Sequence, residues 1–450
     1  MTASVTHDAS QHITEEFEPF SFLHLLLQDS GSKPNLTPRV WMTLLFRAIS
    51  EDEFNVFREL VEWVDRKATP SSEFNVNRPW EESPNQSTCL HKACALNRRE
   101  IVSYLLQRDH IEVNARDGFQ STPLHYAASN GSVDCVVLLL GKGRGFVRKV
   151  RFQQYIEEEQ TIAVDWKDSY GNTPIHLALK HRHYEVVGIL LDFNPNLVNS
   201  RKSNSRSCLH MAVENFDLEG CKLLTRRQDG TKVHCMQKDE NGLTPLMLVV
   251  QEFTQETSSS SVGKYEKLAI FMYLMSLGDH STLLNKHIDY HGRNILHLAC
   301  LNDSVDIVRL IALHVEKDIY LKMMCYKDRH GHIPLHTACK YGAQQVLNTF
   351  LLMLDDPLIQ QECLIMKDRD GNTPLHLAAK SLLSIVKRNS TDVDALQERV
   401  ESRYISCIET LFSLVDLDIE NNKHCSILRL LKATNFFENS TIFTSSFVSR

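Results

Sequence analysis

A four-residue phrase recurs along the chain and limits what it can fold into. It reads Thr122-Pro123-Leu124-His125, Thr173-Pro174-Ile175-His176, Thr244-Pro245-Leu246, Ile333-Pro334-Leu335-His336 and Thr373-Pro374-Leu375-His376. Looser copies stand at Thr88-Cys89-Leu90-His91, Ser207-Cys208-Leu209-His210 and Asn294-Ile295-Leu296-His297. Successive copies start 34, 51, 34, 37, 50, 39 and 40 residues apart, a period near 33 carrying insertions. A unit that short cannot bury its apolar face alone, so each must stack on its neighbours. Such a chain works through the surface it presents and needs no catalytic pocket.

The residue types in the phrase suit the opening of a helix. Thr is an N-cap whose hydroxyl accepts a first-turn N–H. Pro fits the next position, where its missing N–H would be unpaired anyway. Leu or Ile begins the buried face, and His, one turn in, is placed to bond the Thr or the adjacent unit. Two residues later comes Ala (Ala93, Ala127, Ala178, Ala212, Ala299, Ala338 and Ala378), whose methyl lets helices approach closely. Nine residues after the start, Gly131, Gly342 and Asn97 suit a left-handed helix stop. Copies without such a residue predict longer or strained turns.

Upstream of the phrase, five turns share an Asp-x-x-Gly frame: Asp168/Gly171, Asp239/Gly242, Asp289/Gly292, Asp328/Gly331 and Asp368/Gly371, with Asp117-Gly118 as a variant. Asp bonds its own turn backbone and Gly supplies positive φ. These turns project between helix pairs as a row of tips. Residues 1–35 read as a tail around one short apolar helix, and 36–66 as a capping hairpin without the phrase. The repeats run over 87–380, with insertions at 141–164 and 252–264. A further insertion and a degenerate repeat occupy 381–432, before a tail at 433–450. Leu177, on the apolar face of one first helix, is expected in the interface between units.

Together these features resemble the ankyrin repeat, whose signature is turn, Thr-Pro-Leu-His-x-Ala, helix, loop, helix. The resemblance implies an all-α solenoid of about eight to ten stacked helix-turn-helix units with projecting β-turn hairpins. It also implies a protein partner bound along a concave face of turn tips and first helices. The tip residues assigned to that contact are Tyr170, Asn172, Tyr290, Arg293, Arg329, His332, Arg369 and Asn372; exposed aromatics and arginines on a rigid element make effective anchors. Thr122, Pro123, His125, Thr173, Pro174, His176, Thr373, Pro374 and His376 are assigned a structural role.

Other chemistry finds little support. A formal charge of −7 over 450 residues is a weak field and points to no nucleic-acid partner. Twelve cysteines without a Cys-x-x-Cys pair, and a start with no apolar run, suit a reducing, cytoplasmic setting with nuclear shuttling left open. Leu268 to Leu277, the longest apolar stretch, is half a bilayer span, so no membrane segment is expected. His181-x-His183-x-Glu185 lacks a closed metal-site spacing, and His330-Gly-His332 reads as a recognition contact. Gly141-Lys142-Gly143-Arg144-Gly145 lacks the Lys-Ser/Thr that ends a nucleotide loop. Lys142, Arg144, Arg148, Lys149 and Arg151 form a basic run suited to an anionic contact. No cofactor or metal is expected, and no nucleophile, base and oxyanion set converges, so the expected function is a non-enzymatic binding scaffold.

Two further readings rest on resemblance. Long ankyrin arrays with insertions resemble the cytosolic N-terminal regions of ankyrin-rich transient receptor potential channels, which implies a shortened channel subunit or a channel-associated product. Asp29-Ser30-Gly31-Ser32 incompletely resembles the phosphodegron of NF-kappa-B inhibitors, which implies a cytosolic regulator. Leu23-His24-Leu25-Leu26-Leu27 suits docking either in a partner groove or on the chain's own first repeat.

Overall fold

The computed structural model describes residues 37–67, 74–108, 110–143, 162–225, 235–253, 261–278, 287–354, 356–388, 395–412 and 414–434. Among these the chain is helical, with three isolated β-bridges and no extended strand. It divides into two compact units, residues 1–197 and 198–450.

The first unit is a stack of four helix pairs: Pro38–Glu51 with Phe54–Lys67, Cys89–Ala95 with Arg99–Leu106, Pro123–Asn130 with Val133–Gly143, and Pro174–Lys180 with Tyr184–Phe193. First helices pack on first helices and second helices on second. A first helix of seven or eight residues is too short to persist alone in water, so packing and end caps must hold it. The phrase alanines Ala93, Ala127 and Ala178 have no exposed surface, which is what close helix approach requires. Ile175 and Leu179 are likewise fully buried, whereas Leu177 is only half-buried and does not fill the interface as the apolar pattern implied. Its position puts it at the margin of the buried stripe.

The opening pair lacks the phrase and is held differently. Trp41 is fully buried, donates its indole N–H to the Leu60 carbonyl at 3.0 Å, and meets Phe74 edge-on. Arg98 from the following pair reaches back to the end of Pro38–Glu51. Its guanidinium donates to the carbonyls of Ile49 (2.9 Å) and Ser50 (2.7 Å) and pairs with Asp52 at 3.0 Å. A cation there satisfies orphan carbonyls and meets the negative end of the helix dipole.

The second unit stacks five pairs: Cys208–Glu214 with Leu218–Thr225, Pro245–Gln251 with Ser261–Ser276, Ile295–Leu301 with Val305–His314, Pro334–Tyr341 with Gln344–Met353, and Pro374–Arg388 with Ala395–Phe412. A last helix, Ile427–Lys432, packs on Pro374–Arg388. Two pairs carry an additional short helix before the next turn, Lys317–Met324 and Pro357–Ile365. The segment 381–404, read from sequence as an insertion, is mostly helix, since the first helix continues to Arg388 and the second begins at Ala395. The polar run 252–264 is described at 252–253 and 261–264, where helix Ser261–Ser276 has begun.

The helix stops follow the expectation of strained or longer turns. In six of the eight copies the ninth position is left-handed whether or not it is glycine: Asn97, Gly131, Arg182, Phe216, Asp303 and Gly342 have φ of 54°, 69°, 60°, 50°, 49° and 67°. Where glycine is missing from these copies, a side-chain-bearing residue takes the strained conformation. In the Thr373 copy the helix instead runs on through this position to Arg388, and in the Thr244 copy the second helix starts only at Ser261. Turns lacking glycine are therefore strained or longer.

Candidate functional site

The tips are built by one hydrogen-bonding device used repeatedly. In the Asp168 turn, Oδ1 accepts the backbone N–H groups of Tyr170 (2.9 Å) and Asn172 (2.7 Å), and Gly171 closes the turn at φ 76°. The same carboxylate geometry holds Phe119 and Ser121 on Asp117, and Asn241 and Leu243 on Asp239. It recurs at Asp289, Asp328 and Asp368. Asn421 does the same with its amide oxygen, a turn that the Asp-x-x-Gly pattern did not find. Gln120, Ser205 and His424 supply the positive φ where glycine is missing.

Successive tips are tied together by backbone. In the first unit Gly118 N–H donates to the Asn85 carbonyl (2.7 Å) and Ser169 N–H to Phe119 (2.8 Å). In the second, Arg329 N–H donates to His291 (3.0 Å), Arg369 N–H to His330 (3.1 Å) and Asn422 N–H to Asp370 (3.1 Å). The tips are thus ordered before any partner arrives, which lowers the entropy that binding must offset.

The phrase histidines sit behind this row and join units. His125 Nδ1 lies 2.9 Å from the Thr122 hydroxyl and accepts the Thr122 N–H, and its Nε2 meets the Asn172 carbonyl at 3.2 Å. His91, His210, His297, His336 and His376 repeat the reach to a carbonyl of the following turn, at 3.0, 3.0, 2.9, 3.0 and 3.2 Å. His176 is buried and bonds Thr173 in the same way. Since Nδ1 accepts an N–H and Nε2 faces a carbonyl, the ring is neutral with its proton on Nε2. Burial agrees: it pushes His91, His125, His210 and His376 below the usual imidazole value, and His297 and His336 down to about 4. Thr122, Thr173 and Thr373 open their helices and are buried, as are Pro123 and Pro174; Pro374 begins the helix after Thr373.

This network decides which tip residues face outward. Tyr170 is 68% exposed and Tyr290 49%, and Arg329 and Arg369 are exposed as well. Asn172, His332 and Asn372, assigned to the same contact from sequence, are only 7%, 8% and 2% exposed. The reason is their position four residues after the Asp. There the N–H is held by the carboxylate, and the carbonyl accepts both the turn's own Asp N–H and the preceding unit's histidine. Asn172 Nδ2 donates to Asp168, and Asn372 Nδ2 to Asp368. His332 lies 3.6 Å from Asp328, 3.4 Å from Asp368 and stacked on His336. Burial would raise the Asp328 carboxyl, but the His332 ring and the turn N–H groups outweigh it and hold it well below its ordinary value. Arg293, at the same position, is half-buried and paired with Asp289 at 2.7 Å.

Outward positions are therefore the first and second after the Asp. That rule brings in residues missed from sequence. Phe119 is exposed and its ring lies 6.3 Å from that of Tyr170. His291 and Asp370 are exposed in the second unit, beside His330, which the sequence already marks as a recognition contact. Just before the Tyr170 turn, exposed Trp166 is covered by the Arg116 guanidinium at 4.4 Å. The spacing from each Asp was readable in the sequence; the missing signal was that the fourth position carries the inter-unit bond.

Of the other candidates, Arg144, Arg148, Lys149 and Arg151 lie outside the described residues, as does the side chain of Lys142. Residues 23–32, with the Leu-rich and Asp-Ser-Gly-Ser motifs, also lie outside them. His181 and His183 stand 6.2 Å apart, ring to ring, and His183 Nε2 faces the Ser129 carbonyl. Among the described residues no group of His, Cys, Asp and Glu is arranged to hold a metal ion, and no helix is long and apolar enough to cross a membrane.

A family model described as "Ankyrin repeats (3 copies)" matches at residues 12–117, 45–150, 110–201, 150–237, 209–323 and 265–356, and one described as "Ankyrin repeat" at 370–393. Human Rabankyrin-5 is 27% identical over 183 residues, 40% of this chain and 14% of that protein. Human transient receptor potential cation channel subfamily A member 1 is 26% identical over 185 residues, 36% of this chain and 16% of that protein. The chain thus spans about a seventh of the length of these relatives. Among solved structures, the ankyrin repeat domain of Bcl-3 is 19% identical, with a TM-score of 0.43 over 57% of this chain and 92% of that one.

Proposed function

The chain belongs to the ankyrin repeat family, and from that premise we propose that it is a non-enzymatic scaffold that binds protein partners through its turn tips. The observation carrying this reading is the pre-ordering of the tips within each unit, with Phe119 and Tyr170 exposed in the first and Tyr290, Arg329 and Arg369 exposed in the second. Aromatic and arginine side chains on a fixed backbone give large contact area at small ordering cost. Asn172, Arg293, His332 and Asn372 support the tips from behind. The partner's identity is set by tip chemistry rather than by the fold. The twelve free thiols suit a reducing compartment, and we place the protein in the cytoplasm on that basis.

The test compares three baits made from the full chain: the parent, a Y170A/Y290A/R329A/R369A variant, and a control with four exposed outer-helix residues replaced. Proteins retained by parent and control but reduced at least tenfold on the tip variant, with unchanged melting, are the expected result. Equal retention on all three would sink the tip-binding model.

The channel-associated reading is supported by the likeness to human transient receptor potential cation channel subfamily A member 1 and its Caenorhabditis elegans homologue, the latter 25% identical over 240 residues. It predicts that the chain co-sediments with membranes and needs detergent for release. Recovery entirely in the high-speed supernatant would dismiss it.

A further inference from the structure

The two additional short helices bring a pair of thiols together. Cys325 ends Lys317–Met324 and Cys363 lies within Pro357–Ile365, yet their sulfurs are 3.8 Å apart. They come from successive repeat units, 38 residues apart in sequence. A disulfide requires about 2.05 Å between sulfurs, so closing the gap takes a movement of under about 2 Å. Cys325 ends its helix at a short irregular segment. It is also partly exposed, whereas Cys363 is buried beside it.

We infer that Cys325 and Cys363 are a dithiol oxidation site, which a hydroperoxide converts to an intrachain disulfide that ties two successive repeat units together. Cys325 is the attacking sulfur. Cys325 is the more exposed of the two, and its contact with the Cys363 thiol draws it down against burial, while Cys363 is raised by the same contact and by its surroundings. Burial instead raises Cys89, Cys94, Cys208, Cys221, Cys235, Cys300, Cys339 and Cys407. Cys325 is therefore the more readily ionised thiol of the pair, and the more accessible one.

The Cys325 thiolate attacks one peroxide oxygen, the O–O bond breaks, and the leaving oxygen takes a proton to depart as water or an alcohol. The resulting sulfenic acid is attacked by the Cys363 sulfur, the S–O bond breaks, and the hydroxyl leaves as water with the Cys363 proton. Two thiols are oxidised and one peroxide is reduced. The disulfide encloses the Asp328 turn and the helices Pro334–Tyr341 and Gln344–Met353, so it fixes the segments that lead into the Arg329 and Arg369 tips.

The experiment treats the full chain with stoichiometric hydrogen peroxide, blocks remaining thiols with N-ethylmaleimide, and maps peptides by mass spectrometry without reduction. The expected product is a peptide pair joining Cys325 to Cys363, absent after dithiothreitol. In Cys363→Ser, Cys325 should stay as a sulfenic acid trapped by dimedone. Without peroxide, maleimide should label Cys325 at least tenfold faster than Cys89. The inference is overturned if both thiols remain alkylatable after peroxide, or if Cys325 pairs with a different cysteine. It is equally overturned if parent Cys325 accumulates as sulfinic acid while Cys363 stays free.

Discussion

The Thr244 hydroxyl lies 2.7 Å from Nδ1 of His287, a histidine 43 residues further along the chain. At Thr88, Thr122, Thr173 and Thr373 the hydroxyl instead meets the phrase's own histidine, three residues on. The Thr244 copy has buried Met247 at that place. His287, buried just ahead of the Asp289 turn, supplies the missing ring from the following unit.

His287→Ala should therefore destabilise the second unit by about 1–2 kcal/mol, the cost of leaving a buried hydroxyl without its partner. Adding Met247→His should recover part of the loss, because it restores the arrangement found in the other copies. Urea unfolding checks both. An unshifted midpoint for His287→Ala would mean the contact contributes nothing.

Acid should weaken the stack before most carboxylates titrate. His297 and His336 are pushed down to about 4 by burial, which outweighs their carbonyl contacts, and His91, His125, His210 and His376 move the same way. An unfolded histidine titrates near 6.5. Between about 6.5 and 4 the unfolded chain thus binds more protons, so stability rises with pH across that window. It is fully present above about 6.5 and lost as pH falls toward 4. Unfolding free energies at pH 7 and pH 5 should differ by roughly a kcal/mol or more, because a tenfold change in a protonation equilibrium is worth about 1.4 kcal/mol. Equal urea midpoints at the two pH values would contradict neutral, buried rings.

Most of the architecture was legible because the phrase encodes a local event. Thr, Pro and Ala each do the same job in the copies that carry them, so repetition amplifies a weak cap signal into a stack. The tips were legible only in part. Tyr170, Tyr290, Arg329 and Arg369 face outward, but Asn172, His332 and Asn372 were misplaced because their burial comes from the preceding unit's histidine. A contact 35 to 47 residues away leaves no mark on local pattern. His287 escaped notice for the same reason.

Arg182 is exposed and holds φ at 60°, where Gly131 and Gly342 stand in other copies. Arg182→Gly should raise stability by about 0.5–1 kcal/mol, since relief of left-handed strain exceeds the entropy cost of glycine. Gly131→Ala should do the reverse and more: its Cβ would sit 2.6 Å from the His183 ring in addition to the strained φ. Thermal melts of the two variants should move in opposite directions. Movement in the same direction would reject the account of the helix stop.

Arg98→Ala removes the donor to the Ile49 and Ser50 carbonyls and the Asp52 pair together. The expected cost is about 1.5–3 kcal/mol, the range for hydrogen bonds to a charged group. Arg98→Lys should recover little, because an ammonium does not reproduce the guanidinium fork. Hydrogen exchange should then report faster opening over Pro38–Glu51 than over Pro123–Asn130. Uniform protection across both helices would show that the cap is energetically idle.

Leu177 and Leu179 offer a direct check of which face of Pro174–Lys180 is buried. Leu179 has no exposed surface and Leu177 is half-buried, though both are apolar in the same short helix. A carboxylate at position 179 has no partner and no water, a penalty on the order of several kcal/mol. Nearest-neighbour coupling carries that loss into the adjacent pairs, so Leu179→Asp should split or broaden the melting transition. At position 177 the new charge reaches solvent, and Leu177→Asp should shift the midpoint while leaving one cooperative transition. If the two variants melt alike, the helix is rotated from its present placement and the buried stripe runs through Leu177 instead.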